Sequence, residues 1–211
     1  SGRVNDLSLF LPCAAGVEEL LAQEVHALTG RVGQDLLTLR GGVRVRAEWR
    51  DALKLNLHSR LAQRVLIELA HAPYRSENDL YEAAGAVAWE IWFTTKQTFK
   101  IEVTAQHSPL KSLNFAALKI KEPLFKRGWR EDKGEAPLKE TLAAAMIEAS
   151  GWGNQMRTAI ADAQDAPPLY DPCCGSGTIA IEAAQIACNI AAGSLRRFGF
   201  EKLLPNQPHV W

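Results

Sequence analysis

Apolar and polar positions along the opening third of the chain alternate between two periods. LSLFL, from Leu7 to Leu11, is a short apolar run closed by Pro12, the pattern of a buried strand. From Val17, apolar side chains recur at Leu20, Leu21, Val25 and Leu28, the one-face spacing of an amphipathic helix, which Gly30 closes. QDLLTLRGGVRVRAE then places two strand-like arms around Gly41-Gly42, with Val43, Val45 and Ala47 alternating with Arg44, Arg46 and Glu48. That predicts a hairpin with one wet, basic face. Trp49, Leu53 and Leu57 resume helical spacing and RVLIELA reads as a further strand, so a small α+β sandwich is expected.

A second cycle follows. Leu80 to Val87 is expected to be helical, TFKIEVTA alternates as a strand, HSPLKS reads as a polar loop and LNFAALKIK as a helix. Charge, two glycines and Pro137 fall together in KRGWREDKGEAP, which marks a domain boundary. PLKETLAAAMIEASGW then predicts a strong helix: Pro137 suits a first turn, alanines favour the body and Gly151 stops it. PPLYDPCCGSGTIAIEAAQIACNIAAG supplies a strand, a turn and a helix from about Thr178 through Ala192. No internal repeat or low-complexity linker interrupts this order.

Composition narrows the class. With 211 residues and 47% hydrophobic content, the chain can bury the core of one large domain or two small ones. No apolar run approaches the roughly 18 to 20 residues of a membrane span, and SGRVND is no signal peptide, which points to the cytoplasm and to no membrane partner. Cys13, Cys173, Cys174 and Cys188 show no CxxC spacing and no companion histidines, so neither a metal site nor a disulfide framework is expected. Cys13 and Cys188 read as core residues and Cys174 as a small packing residue, since no neighbour in sequence depresses its pKa.

Lys plus Arg and Asp plus Glu balance at 24 each, but their distribution does not. Between Thr94 and Arg130, eight basic residues face two acidic ones, whereas Glu131 to Tyr170 carries seven acidic and three basic. The basic segment could follow a phosphate backbone or be a solvated surface, and both readings stay open. Trp89, Trp92 and Trp129 could stack on bases, with core or interdomain packing the alternative.

The candidate chemistry lies at Asp171 to Thr178. Gly175 and Gly177 permit positive φ and let a ligand approach the backbone, while the helix that follows turns its free N–H groups and positive dipole end towards it. Ser176 or Thr178 is the expected cap. GSGT lacks the GK[ST] ending of a triphosphate loop, and Ala180 stands where a dinucleotide fingerprint has its third glycine. That fingerprint tolerates alanine, so nicotinamide binding and an ordinary βα turn remain alternatives at this point.

The longer pattern is more restrictive. DPCCGSGT resembles the first S-adenosylmethionine motif of class I methyltransferases, in the version carried by THUMP-domain RNA methyltransferases. FKRGWREDKGEAPLKETLAAAMI is similar to the segment leading into that family's catalytic domain, LFLPCAAGVEELLAQEV to its N-terminal ferredoxin-like subdomain, and Leu61 to Lys121 to part of its THUMP domain. Within the family the match is nearest to the bacterial large-subunit ribosomal RNA guanine-N2 methyltransferases, some relatives of which are labelled N6-adenine-specific DNA methylases.

The resemblance implies a fold class: an α+β ferredoxin-like and THUMP region, then the start of an α/β Rossmann-like class I methyltransferase domain. The implied limits are 1–60 for the ferredoxin-like subdomain, 61–126 for an incomplete THUMP domain and 127–211 for the methyltransferase domain. S-adenosylmethionine is expected against Asp171, Cys173, Gly175, Ser176, Gly177 and Thr178, with Lys139, Glu140 and Thr141 closing from the other side. Glu140 and Thr141 have a second reading, because an acid and a hydroxyl favour a helix's first turn without any ligand. RNA, implied to be large-subunit ribosomal RNA, would be gripped through Lys96, Lys100, Lys111, Lys119, Lys121, Arg127 and Arg130. The implied reaction moves a methyl group to an exocyclic base amine, guanine N2 above others. N6-adenine DNA methylation and a non-catalytic RNA-binding module are the alternatives.

The sequence departs from the family pattern twice. The family continues into a strand whose terminal acid holds the cofactor ribose and an Asn-Pro-Pro-aromatic motif that receives the target amine. Neither stands here, so the catalytic motif is expected beyond Trp211 and the 211 residues alone are expected to be inactive. Between Lys121 and Pro123, where the remaining THUMP strands are usual, the chain passes almost directly into EPLFKRGWR.

Overall fold

A computed structural model describes residues 6–93, 101–105, 107–112, 116, 138–172, 177–194, 196–203 and 205. The chain divides into two units: residues 1–67 with 134–198, and residues 68–133 with 199–211.

The first unit opens with strand β1 (Leu7–Pro12), helix α1 (Glu18–Thr29), hairpin strands β2 (Leu36–Leu39) and β3 (Gly42–Ala47), helix α2 (Trp49–His58) and the short strand β4 (Leu66–Ile67). The strands form one antiparallel sheet in the order β2-β3-β1-β4. This βαββαβ path, with β3 between β1 and β2, is the ferredoxin-like arrangement that the family resemblance implies, and it is built from the α+β elements that the two periodicities predict. Register explains the core: Leu9 lies opposite Val45 and Leu11 opposite Val43, and all four are fully buried. Leu21 and Val25 of α1 and Ala52 and Leu55 of α2 cover that face, each buried leucine contributing about 1.5–3 kcal/mol. Arg44 and Arg46 occupy the alternate positions of β3 and are less buried.

Local chemistry sets the ends of these elements. Gly30 closes α1 at φ 71°, where an L side chain would be strained. Glu18, in the first turn of α1, accepts from the amides of Gly16 at 2.7 Å and Gly41 at 3.0 Å, fastening the helix start to the hairpin turn. These bonds, that from its own amide first, hold the Glu18 carboxyl below the usual range. RVLIELA contributes less strand than its pattern suggests, since β4 pairs only Leu66 and Ile67 with β1.

The unit continues with α4 (Glu140–Ala149), α5 (Trp152–Ala161) and α6 (Thr178–Ala187); helix α3 (Glu77–Gly85) belongs to the second unit. Helix α4 is shared by two cores. Ala144 and Ala145 pack into the ferredoxin-like core, while Ile147 joins Trp152, Met156, Ala183 and Ile186 in a second cluster. Gly151, at φ 78°, separates α4 from α5.

Two expectations in this region are corrected. PPLY is not a strand: residues 163–171 form no ladder, and Tyr170 is 88% exposed. A strand needs a neighbour to take its backbone hydrogen bonds, and among the described residues no strand lies beside it. Helix α6 ends at Ala187 rather than Ala192, because Asn189 takes a left-handed φ of 52°.

In the second unit, the Ser76 hydroxyl accepts from the Asp79 amide while the Asp79 carboxylate accepts from the Ser76 amide, a capping box that starts α3. A 3-10 turn at Trp89–Ile91 follows, and the Trp89 indole donates to the Ala84 carbonyl at 2.7 Å while its ring stacks, tilted, on Phe93. Of TFKIEVTA, residues 101–105 carry no regular structure, and the first three lie outside the described residues. LNFAALKIK lies outside them too, except for Ala116, which is helical. Among the described residues no helix is long and apolar enough to cross a membrane.

Candidate cofactor site

Helix α6 begins at Thr178 with Gly177 as its N-cap, at φ 85°. The cap position therefore has no side chain, which corrects the expectation of Ser176 or Thr178 there, and no side-chain cap bond closes the first turn. Among the described residues, a Cβ built on Gly177 would meet nothing within 4 Å. Helix α4 begins at Glu140, with Lys139 extended at its N-cap and again no side-chain cap bond. The cluster around Ile147, Ala183 and Ile186 packs α4 against α6, and the starts of both helices open on one hollow of about 340 Å³. The first residues of both helices border this space, where a helix start favours an anionic group, and the volume falls in the range that takes a small organic ligand.

The hollow brings together Glu140, Thr141 and Thr178. Lys139 is exposed, Asp171 is half-buried, and neither lines it; Gly177 caps α6 beside Thr178 and is not among the lining residues either. Cys173, Gly175 and Ser176 lie outside the described residues. Glu140 occupies the first turn of α4, so its helix-start role and a ligand role are both compatible with its position. Of the basic residues, Lys111 is exposed, and Lys96, Lys100, Lys119, Lys121, Arg127 and Arg130 lie outside the described residues, as does Trp129.

Among the further lining residues that sequence reasoning passed over, Arg60, Glu182, Gln185 and Arg196 carry charge or amide groups. The signal for two of them was present. Thr178, Glu182 and Gln185 stand at i, i+4 and i+7 of α6, a polar stripe along a helix that is otherwise apolar. Glu182 is only 5% exposed, and Arg60 meets its Oε1 at 2.7 Å. An unpaired carboxylate at that depth would be strongly unfavourable, so the pair explains how the stripe can be buried. Nothing in the sequence near Arg60 indicates its partner 122 residues away. Arg196 lies over the Phe198 ring at 4.9 Å. Cys13 is buried, as its apolar surroundings suggest, whereas Cys188 is exposed at the end of α6, not part of the core. Among the described residues no group of His, Cys, Asp and Glu has the arrangement of a metal site.

Comparison with known proteins gives this arrangement its class. The family model of the RlmL ferredoxin-like domain matches residues 8–66, that of the THUMP domain residues 74–131, and that of the RMKL-like methyltransferase domain residues 127–209. The chain thus carries ferredoxin-like and THUMP domains followed by a class I methyltransferase-type domain, in that order.

Among its relatives is the ribosomal RNA large subunit methyltransferase K/L of Psychromonas ingrahamii, 33% identical over 97% of this chain and 31% of its own length. The protein of that name from Shewanella pealeana is also 33% identical, over 97% of this chain and 33% of its length. The chain thus spans about a third of the length of the curated relatives it matches. Both alignments run over 249 positions, more than the chain's 211 residues, so they cross residues that this chain does not have. Among solved structures, a predicted N6-adenine-specific DNA methylase from Listeria monocytogenes superposes with a TM-score of 0.79 at 26% identity, covering all of this chain and 65% of its own. SMU.472, described as a methyltransferase and solved in complex with SAH, gives 0.80 at 26% identity over 99% of this chain and 63% of its own.

Proposed function

We propose that the chain is the RNA-gripping and cofactor-receiving front of an enzyme that moves a methyl group from S-adenosylmethionine to an exocyclic base amine, namely guanine N2 of large-subunit ribosomal RNA. The observation that carries this reading is the meeting of Glu140, Thr141 and Thr178 on one hollow at two helix starts, within a methyltransferase-type segment. The relatives named for ribosomal RNA support the substrate class, and the SAH complex of SMU.472 supports the cofactor. The proposed domain limits are 1–60, 61–126 and 127–211, and the proposed compartment is the cytoplasm.

The residues fit the cofactor chemically. In this reading Asp171, Cys173, Gly175, Ser176, Gly177 and Thr178 receive it on one side and Lys139, Glu140 and Thr141 on the other. The two helix starts favour its carboxylate, and the Glu140 carboxylate and the threonine hydroxyls offer partners for ammonium and ribose hydroxyls. When bound, S-adenosylmethionine supplies a methyl group already activated on a sulfonium, so the protein's work is to bind, orient and exclude water. Lys96, Lys100, Lys111, Lys119, Lys121, Arg127 and Arg130 are the proposed phosphate contacts.

A second reading, N6-adenine methylation of DNA, is favoured by the description of the Listeria neighbour; the THUMP match favours RNA. The test incubates the intact protein with methyl-labelled S-adenosylmethionine and either undermethylated ribosomal RNA or DNA, then separates the labelled nucleosides. Label in N2-methylguanosine is the expected result. Label in N6-methyladenine of DNA would replace this reading with the second, and RNA binding without label would leave a non-catalytic module.

A further inference from the structure

Helix α6, which starts at the glycine turn, is held from outside the methyltransferase segment. Glu24 of α1 accepts from the Ser59 hydroxyl and from the backbone amides of Arg60 at 3.0 Å and Leu61 at 3.4 Å. The loop after α2 is thereby fastened to the ferredoxin-like core, and the Arg60 side chain extends from it. Its Nη1 donates to Glu182 Oε1 at 2.7 Å and lies 3.4 Å from Gln185 Oε1, while its Nη2 donates to the Ile190 carbonyl beyond the end of α6. A guanidinium can hold acceptors on both arms of its fork; a lysine ammonium at the same place cannot reach both. Arg60 and Glu182 line the same hollow as Thr141 and Thr178.

We propose that Arg60 is a positioning residue for the cofactor site. By clamping α6 along its length and past its end, it fixes Gly177 and Thr178 relative to Glu140 and Thr141, so the ferredoxin-like domain sets the width of the site. This rests on the reading that the hollow receives S-adenosylmethionine. It goes beyond that reading by assigning part of cofactor affinity to a domain that contributes no residue of the glycine motif.

The test measures S-adenosylhomocysteine binding by calorimetry and thermal unfolding by circular dichroism on the intact protein. Arg60→Lys keeps the charge beside Glu182 but gives up the fork. Its unfolding temperature should stay near that of the wild type while its Kd rises about ten-fold or more, as expected when binding groups lose their fixed placement. The double variant Arg60→Met with Glu182→Met replaces the pair by apolar side chains of similar length. It should recover any stability lost in Arg60→Ala, yet still bind S-adenosylhomocysteine weakly. Wild-type affinity in Arg60→Lys, or affinity that returns with stability in the double variant, would overturn the positioning role and leave Arg60 a structural residue. A wild-type protein that does not bind S-adenosylhomocysteine would instead overturn the cofactor reading and this inference with it.

Discussion

The Gly193 amide donates to the Leu57 carbonyl at 2.7 Å, joining the segment after α6 to the end of α2. A Cβ at position 193 would fall 2.8 Å from the Asn56 carbonyl oxygen, 3.0 Å from the Leu57 Cα and 2.6 Å from the Phe198 ring. Two of these neighbours are backbone, so the contact cannot be relieved by rotating one side chain. Gly193→Ala is expected to destabilise the first unit by about 1–3 kcal/mol, the usual effect of overpacking. Urea unfolding checks this: a midpoint equal to that of the wild type would mean that the segment swings away freely.

The ferredoxin-like half was legible because its signals are local and repeated. Leu9 and Leu11 alternate on β1, Val43, Val45 and Ala47 on β3, and Leu21 and Val25 mark the buried face of α1. Each of those positions is decided by neighbours within a few residues. PPLY misled for the opposite reason: its residues suit a strand, but a strand exists only with a partner, and sequence spacing does not show whether one is adjacent. The same holds for the described part of TFKIEVTA.

Of the proposed site residues, Glu140, Thr141 and Thr178 meet on the hollow because each lies at a helix start that local sequence marks, whereas Lys139 and Asp171 do not line it. Arg60 was not legible in the sequence, because its role depends on a contact made across the fold. Cys188, which reads as core in the sequence, is exposed: α6 ends at Ala187, and the left-handed Asn189 follows the thiol directly.

Burial pushes the Glu24 carboxyl above its ordinary value of 4.5, with nearby Glu148 adding to the rise against the bonds from Ser59, Arg60 and Leu61. The folded chain therefore holds this proton more tightly than the unfolded chain does. Its stabilising contribution is complete below 4.5 and is lost as pH rises through the folded value. Glu24→Gln removes the titration and keeps one acceptor oxygen. Urea midpoints measured from mild acid to neutrality should show wild-type stability declining relative to this variant; an advantage that grows with pH would reverse the argument.

The two described cysteines should react at different rates. Burial first, and then the neighbouring Glu18 carboxylate, push the Cys13 thiol up, whereas Cys188 is exposed at the C-terminal cap of α6. Since the thiolate is the reactive species, iodoacetamide at neutral pH should label Cys188 about ten-fold or more faster than Cys13. Peptide mass mapping reads the two sites separately. Denaturant should remove the difference, and equal rates in the folded protein would show that the Cys13 environment opens readily.

Gly177 separates a cofactor seat from an ordinary turn. At φ 85° an alanine costs about 1–2 kcal/mol for its left-handed backbone, but its methyl group would meet no atom of the described residues within 4 Å. Gly177→Ala should therefore fold, with an unfolding temperature lowered by a few degrees, about what 1–2 kcal/mol produces in a domain of this size. If the turn receives S-adenosylmethionine, the methyl group enters space that the ligand needs, and S-adenosylhomocysteine affinity should fall well beyond what the lost stability explains. The comparison is with Gly151→Ala, which has φ 78°, equally open space and a place in a turn away from the hollow. That variant should lose similar stability and keep its affinity. Equal affinities in the two variants would make the open space at Gly177 ordinary solvent and remove the glycine turn from the proposed site.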